Sequence, residues 1–269
     1  MNPIHKVCLV TGASRGIGRG IALMMAEAGY RLAITHLAEA EEAAATAELI
    51  RSRYGGECLV LQANLIDPLQ VGQIVADTTA HYGRLDVMVN NAGVTVFGKL
   101  VDLSLEELDQ LLHLNLRAPL LGMKAAAQAM IACGAGGNIV NIASSRGQRA
   151  YSTDAAYGAS KAGLIRATES VALELAPYKI RVNCIAIGVT RVTDDDQFYR
   201  GFEDIVPLGR PAEIEEVGRI VKWLVSQDAD YITGTTLRVD GGLILPGTPE
   251  PRGSSRKAGY EYSINAPRS

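Results

Sequence analysis

Tyr157 and Lys161 stand four residues apart in an Ala-rich stretch of helical period, Asp154-Ala155-Ala156-Tyr157-Gly158-Ala159-Ser160-Lys161. On a helix that spacing puts both side chains on one face. A free phenol has a pKa near ~10 and is a poor acid–base group at neutral pH. A neighbouring ammonium favours the phenolate and pulls that pKa down, each unit being worth about 1.4 kcal/mol. Chance alone places such a pair on many amphipathic helices, so its meaning depends on what else the chain carries. A second constellation lies near the start, where Val7-Cys8-Leu9-Val10 runs into Thr11-Gly12-Ala13-Ser14-Arg15-Gly16-Ile17-Gly18 and a helical pattern follows. Glycine permits the tight turn and lets backbone approach a pyrophosphate, whose charge then sits at the helix N-terminus. A strand before and a helix after is the context such a site requires.

Other chemistries find no support. His5, His36, His81 and His113 fall at the start, after a strand or on helices, with no G-x-S-x-G serine elbow. No cluster of His, Cys or carboxylates has metal-ligand spacing, so no metal is expected. The four cysteines, Cys8, Cys58, Cys133 and Cys184, are far apart and read as free thiols of a reducing cytoplasm.

The elements that must position these residues alternate along the chain. Short β-branched or aliphatic runs at 6–10, 31–35, 57–62, 85–90, 138–143, 180–185 and 236–239 predict strands. Stretches of helical period at 17–28, 38–53, 68–82, 105–132, 155–176 and 213–226 predict helices. Such alternation over the whole length predicts an α/β fold, a parallel seven-stranded sheet covered by helices on both faces. No Pro/Gly/Ser-rich linker interrupts it before residue 245, which favours one catalytic domain over 1–245. Residues 188–211 read as a long excursion between strand and helix, and 246–269, rich in Pro, Gly, Ser and Arg, as an appended tail. Tyr260, Tyr262 and Ile264 alternate in that tail and are expected to dock as an arm on a neighbouring subunit or a site rim.

The glycine spacing is G-x-x-x-G-x-G, and with it the chain resembles the short-chain dehydrogenase/reductases over about residues 5–243. The resemblance rests on the glycine turn, Asn90-Asn91-Ala92-Gly93, a lone Asn115, Ser144, Tyr157-Gly158-Ala159-Ser160-Lys161 thirteen residues beyond it, Ile232-Thr233-Gly234 and Val239-Asp240-Gly241-Gly242. It implies a single-domain Rossmann-type, doubly wound fold and hydride transfer between a nicotinamide cofactor and a carbonyl or alcohol. It also implies four catalytic roles. Tyr157 passes a proton to or from the substrate oxygen, and Lys161 lowers the tyrosine pKa and holds the nicotinamide ribose. Ser144, rather than the adjacent Ser145, hydrogen-bonds the carbonyl, and Asn115 supports a proton-relaying water.

For the cofactor, the resemblance points to Gly12, Ser14, Arg15, Gly16, Ile17 and Gly18 at the phosphates. It points to His36, Asn64 and Leu65 around the adenosine, and to Asn91, Ala92, Gly93, Gly188 and Thr190, with Tyr157 and Lys161, toward the nicotinamide. Relatives preferring NAD place an Asp at the end of the second strand; His36 and Leu37 stand there instead. Arg15 resembles the base that NADP-dependent relatives use, so NADP(H) is expected over NAD(H). The chain departs from the family at Ile187, where proline is usual, and at Val192, where a threonine is usual. Loss of proline is expected to loosen that loop.

Thr193-Asp194-Asp195-Asp196 reads as a solvated acidic helix start. Three carboxylates there would repel an acidic carrier protein and favour a free carbonyl compound, polyol or sugar, whereas Arg146 and Arg149 after Ser144 would suit an anionic substrate group. A 3-oxoacyl-(carrier protein) reductase, an NAD-dependent sugar or polyol dehydrogenase, and a nucleotide-binding regulatory protein without turnover are the competing readings. A net charge of −3 advertises no nucleic-acid or anionic-membrane surface, and no apolar run is long enough to span a bilayer. Family resemblance further implies a homotetramer, or a dimer, through the helices at 105–132 and 155–176.

Overall fold

The structure is a computed structural model that describes residues 5–245. The expected docking arm of the tail therefore lies outside the described residues. Seven strands form one wholly parallel sheet: β1 (Val7–Val10), β2 (Arg31–His36), β3 (Cys58–Gln62), β4 (Val87–Asn90), β5 (Gly137–Ser144), β6 (Ile180–Ile187) and β9 (Thr236–Val239). Their spatial order is β3-β2-β1-β4-β5-β6-β9. Helices α1 (Gly16–Glu27), α2 (Ala40–Tyr54) and α8 (Ile214–Leu224) pack on one face, and α3 (Pro68–Tyr82), α5 (Ala118–Cys133) and α6 (Ala155–Leu175) on the other. The apolar strands seen in the sequence are those of a sheet buried on both sides. Val7, Leu9, Met88 and Ile139 join one core, while Cys8, Val10, Val87 and Val140 join the other.

The order of strands turns about between β1 and β4, which lie side by side. At such a switch point the loops leaving the carboxyl ends of the strands diverge and open a crevice. The glycine turn follows β1, Asn91 follows β4, Ser144 ends β5 and Gly188 follows β6, so all four stand along one edge of the sheet.

Local signals set the helix ends around it. The Asp67 side chain accepts the Leu69 N–H at the start of α3, with Pro68 in the first turn, and Gly83 ends that helix in the left-handed region at φ +78°. Ser104 and Glu107 form a reciprocal capping box at the start of α4 (Leu105–Leu112).

Two expectations need correction. The helix predicted over 105–132 is interrupted: a π-helical turn, His113–Arg117, separates α4 from α5. At its centre lies Asn115, fully buried, whose amide nitrogen donates to the Val94 carbonyl (2.7 Å) and whose amide oxygen accepts the Val94 N–H (2.9 Å). The excursion 188–211 carries structure of its own. Strand β7 (Thr190–Arg191) pairs with β8 (Ala212–Glu213), and a short helix, α7 (Phe202–Ile205), lies between. The acidic triad precedes a run of turns rather than a helix; it is solvated, as expected, with Asp196 paired to Arg191.

Candidate active site

The glycine turn forms the floor of the crevice. Gly12 (φ +62°) donates its N–H to Thr35 Oγ1 at 3.0 Å, which ties the turn to β2. A Cβ at Gly18 would lie 2.2 Å from the Gly12 carbonyl oxygen, so only glycine fits where the helix meets the turn. The Asn91 amide donates to the carbonyls of Thr11 (2.8 Å) and Gly12 (3.0 Å), and Thr11 Oγ1 accepts the N–H groups of Asn91 and Ala92. Asn91 and Ala92 thus hold the turn. Ser14 is buried, and its carbonyl accepts from Arg19 and Thr46. The first turn of α1 carries no acid and its N-cap, Arg15, makes no side-chain cap bond, so the amino end of the helix is open to an anion. Gly16 and Ile17 begin that helix, and Arg15 is exposed beside them.

At the adenosine end, His36 closes β2 and is buried, with Nδ1 lacking any partner among the described residues. Asn64 is exposed at the end of β3, its Oδ1 accepting the Ile66 N–H, and Leu65 beside it is buried. Sequence reasoning missed Glu39. Its carboxylate accepts the N–H groups of Leu37 (3.2 Å) and Ala38 (3.1 Å), and hydrogen bonding to its own N–H, then to those of Ala38 and Leu37, with Arg15 nearby, holds it below the usual carboxylate range. A search that stopped at the residue ending β2 overlooks an acid three positions on.

The other wall is built by β5, the π turn and α6. Lys161 is buried and donates to the Ile142 carbonyl of β5 at 3.1 Å, with its nitrogen 5.8 Å from the centre of the Tyr157 ring. Burial pushes its ammonium down from the ordinary lysine value to about 8. Gly93 sits against both partners: a Cβ there would lie 3.0 Å from Asn115 Oδ1 and 3.5 Å from Lys161 Nζ. Ser144 ends β5 and its hydroxyl accepts the Arg146 N–H at 3.2 Å, which leaves the hydroxyl proton free to donate. The short helical turn after it packs on α6; a Cβ at Gly147 would lie 2.8 Å from the Lys161 carbonyl carbon. Beneath, the buried chain Asn90–Asn141–Thr168 joins β4, β5 and α6 through bonds of 2.8 and 2.9 Å. Ser145, the competitor of Ser144, is buried at 2 % exposure.

The loop after β6 is held, contrary to the expectation from Ile187. That residue continues β6 in register with Ser144 and Val239, and Gly188 donates to the Val239 carbonyl at 2.9 Å. The pairing of β7 with β8 adds a second tie. The third is Tyr199, which sequence reasoning also missed. Its buried hydroxyl accepts the N–H of Val192 (2.7 Å) and of Thr193 (3.3 Å) and faces the Thr190 carbonyl at 3.4 Å. Val192 is thereby brought over the glycine turn, 3.5 Å from where a Gly16 Cβ would stand. Thr190 is buried, and its hydroxyl has no partner among the described residues.

These features fit a dinucleotide. A glycine cradle, an uncapped helix N-terminus and two unpartnered buried polar atoms, one near each end of the crevice, are what an extended ligand with a diphosphate centre would satisfy. Beside it, a phenol and an ammonium on one helix face, with a hydroxyl on the adjoining strand end, can exchange a proton with an oxygen that develops charge.

Known proteins resemble the chain over most of its length. The family described as Enoyl-(Acyl carrier protein) reductase matches residues 12–244. The 3-oxoacyl-[acyl-carrier-protein] reductase of Staphylococcus aureus is 37% identical over 244 residues, which is 89% of this chain and 98% of that protein. The trans-4-hydroxycyclohexanecarboxylate dehydrogenase of Sinomonas cyclohexanicum is 36% identical, covering 88% of this chain and 92% of its own length. Among solved structures, acetoin dehydrogenase from Salmonella typhimurium superposes with a TM-score of 0.85 at 32% identity, over 91% of this chain and 98% of that one. The chain belongs to the short-chain dehydrogenase/reductase family, in its 3-oxoacyl reductase-like branch, and is an NAD(P)-dependent oxidoreductase.

Proposed function

We propose that this protein interconverts a free ketone and its secondary alcohol with NADP(H), Tyr157 acting as the acid in reduction and the base in oxidation. The observation that carries the reading is Lys161, buried at 6 % exposure on the tyrosine's own helix face. A cation so placed costs desolvation energy, which a structural role on an Ala-rich helix does not require. When bound, the nicotinamide ring supplies or accepts the hydride. Ser144 donates a hydrogen bond to the substrate carbonyl oxygen, and Tyr157 passes its phenolic proton to that oxygen as charge develops. Lys161 holds the ribose and stabilises the phenolate left behind. Asn115, beside Gly93 and Lys161, positions the water through which the lysine regains a proton.

In the same reading Gly12, Ser14, Arg15, Gly16, Ile17 and Gly18 hold the diphosphate, His36, Asn64 and Leu65 the adenosine, and Asn91, Ala92 and Gly93 shape the middle of the crevice. Gly188 and Thr190 meet the carboxamide, for which the unpartnered Thr190 hydroxyl is available. Exposed Arg15 suits the 2′-phosphate, which must displace Glu39 from the Leu37 and Ala38 N–H groups.

A free ketone is favoured over a carrier-linked one by the exposed Asp194 and Asp195 on the 188–211 segment. Acetoin and trans-4-hydroxycyclohexanecarboxylate, the compounds for which two similar proteins are named, are also small free molecules. The second reading, reduction of a 3-oxoacyl thioester, draws on the Staphylococcus relative. Spectrophotometric turnover of NADPH and NADH against ketones, sugars, polyols and 3-oxoacyl thioesters separates them. Faster NADPH oxidation with free ketones supports the first reading. Turnover confined to thioesters establishes the second, and an NADH preference above about tenfold refutes the NADP(H) assignment.

A further inference from the structure

The wall facing Tyr157 is built around an arginine. Phe97, in the loop after β4, meets the Tyr157 ring edge-on with centroids 5.8 Å apart. The Arg146 guanidinium carbon lies over the Phe97 ring at 4.5 Å and over the Tyr151 ring at 4.4 Å. The two steps leave no more than about 10 Å between that guanidinium and the catalytic ring. Asp154, buried at the foot of α6, fixes the stack: Oδ2 accepts Arg146 Nη1 at 3.1 Å and Oδ1 accepts the Tyr151 N–H at 3.3 Å. The surrounding loops are tied as well, since Gly98 donates to the carbonyl of Thr153 (2.9 Å), a non-glycine residue held at φ +67°. Such a conformation is strained for a side-chain-bearing residue and is kept where the surroundings impose it.

Two rings lie within 4.5 Å of the guanidinium carbon and Asp154 pins one nitrogen, yet the side chain stays 32% exposed. A guanidinium has five N–H donors in a planar fork. The bond to Asp154 uses one nitrogen, and the carboxylate is itself shared with Tyr151. We infer that the remaining edge of Arg146 binds an anionic group, a carboxylate or a phosphate, on the substrate, so that the enzyme acts on ketones or secondary alcohols carrying such a group a few bonds from the reacting carbon. A planar fork held by two rings and the Asp154 carboxylate loses little freedom on pairing, which suits bidentate recognition of an oxyanion.

The inference rests on the ketone/alcohol reading, and the test separates the two. Medium-chain oxo-carboxylates and oxo-phosphates are compared with their neutral methyl esters as substrates for the wild type, Arg146→Gln and Arg146→Lys, with NADPH binding by fluorescence as the check on folding. The wild type should favour the anion over its ester at least about tenfold in kcat/KM. In Arg146→Gln that ratio should fall by about tenfold, the loss falling on the KM of the anion, and Arg146→Lys should recover part of it. A wild type that turns over esters as well as anions overturns the inference and leaves the reductase reading standing. So does an Arg146→Gln enzyme that loses both substrates in proportion, because the arginine is then a pillar of the wall. Turnover of neither substrate by a cofactor-binding wild type overturns both.

Discussion

At Lys161 a single buried charge sets the pH behaviour. Burial disfavours the ammonium, so the group loses its proton at about 8 rather than in the ordinary lysine range. The sign follows for both stability and rate. Below about 8 the fold carries the whole cost of a buried charge, and stability rises with pH between there and the unfolded lysine value. The reductive rate runs the other way, because it needs the ammonium beside the phenol. We expect kcat/KM for ketone reduction to fall as pH rises through about 8; a profile flat across that region contradicts the role of Lys161. Glu39 makes a second prediction at this scale. Its carboxylate occupies two N–H groups beside Arg15, where a 2′-phosphate would compete as a like charge. Glu39→Gln should tighten NADPH relative to NADH by about fivefold in titrated dissociation constants. Unchanged discrimination would place the phosphate elsewhere.

Elements explain why so much of the site could be read from the chain and why the rest could not. Every strand of the main sheet begins and ends within two residues of its predicted run, because a sheet buried on both faces writes itself as an apolar run. The spacing of Tyr157 and Lys161 puts them on one helix face, while Ser144 is picked out by the family resemblance and stands at the end of β5. What escaped depends on contacts between distant residues. The π turn at Asn115 answers to Val94, and the hold on the 188–193 loop answers to Tyr199 and to β8, none of which has a local signature. Ile187 misled for the same reason: the missing proline bears on φ freedom, whereas strand pairing and a tyrosine hydroxyl decide the order of the loop. Tyr199→Phe leaves the Val192 and Thr193 N–H groups without their acceptor. It should cost about 1 kcal/mol in denaturant unfolding and weaken cofactor binding several-fold. Binding equal to wild type would mean that β7 and β8 alone set the loop. Gly18→Ala tests the cradle, since its Cβ would meet the Gly12 carbonyl oxygen at 2.2 Å. Loss of cofactor binding is expected, with unfolding shifted by about 1–3 kcal/mol.

For the molecule as a whole, no helix among the described residues is long and apolar enough to cross a membrane, and all four cysteines are unbridged. Apolar side chains stand exposed on the helices that the family resemblance assigns to assembly, including Leu105 and Leu112 on α4, Leu120 on α5 and Leu173 on α6. We propose a homotetramer closed through these helices. Leu120→Glu combined with Leu173→Glu should lower the mass found by light scattering, and an unchanged mass would move the interface elsewhere. Whether Tyr157 supplies the proton in hydride transfer is decided by one comparison. Turnover of NADPH with the best ketone is measured for the wild type and Tyr157→Phe, alongside the NADPH dissociation constant of each. In Tyr157→Phe kcat should fall by about a hundredfold or more with the dissociation constant nearly unchanged. A phenylalanine enzyme that turns over near the wild-type rate would contradict it.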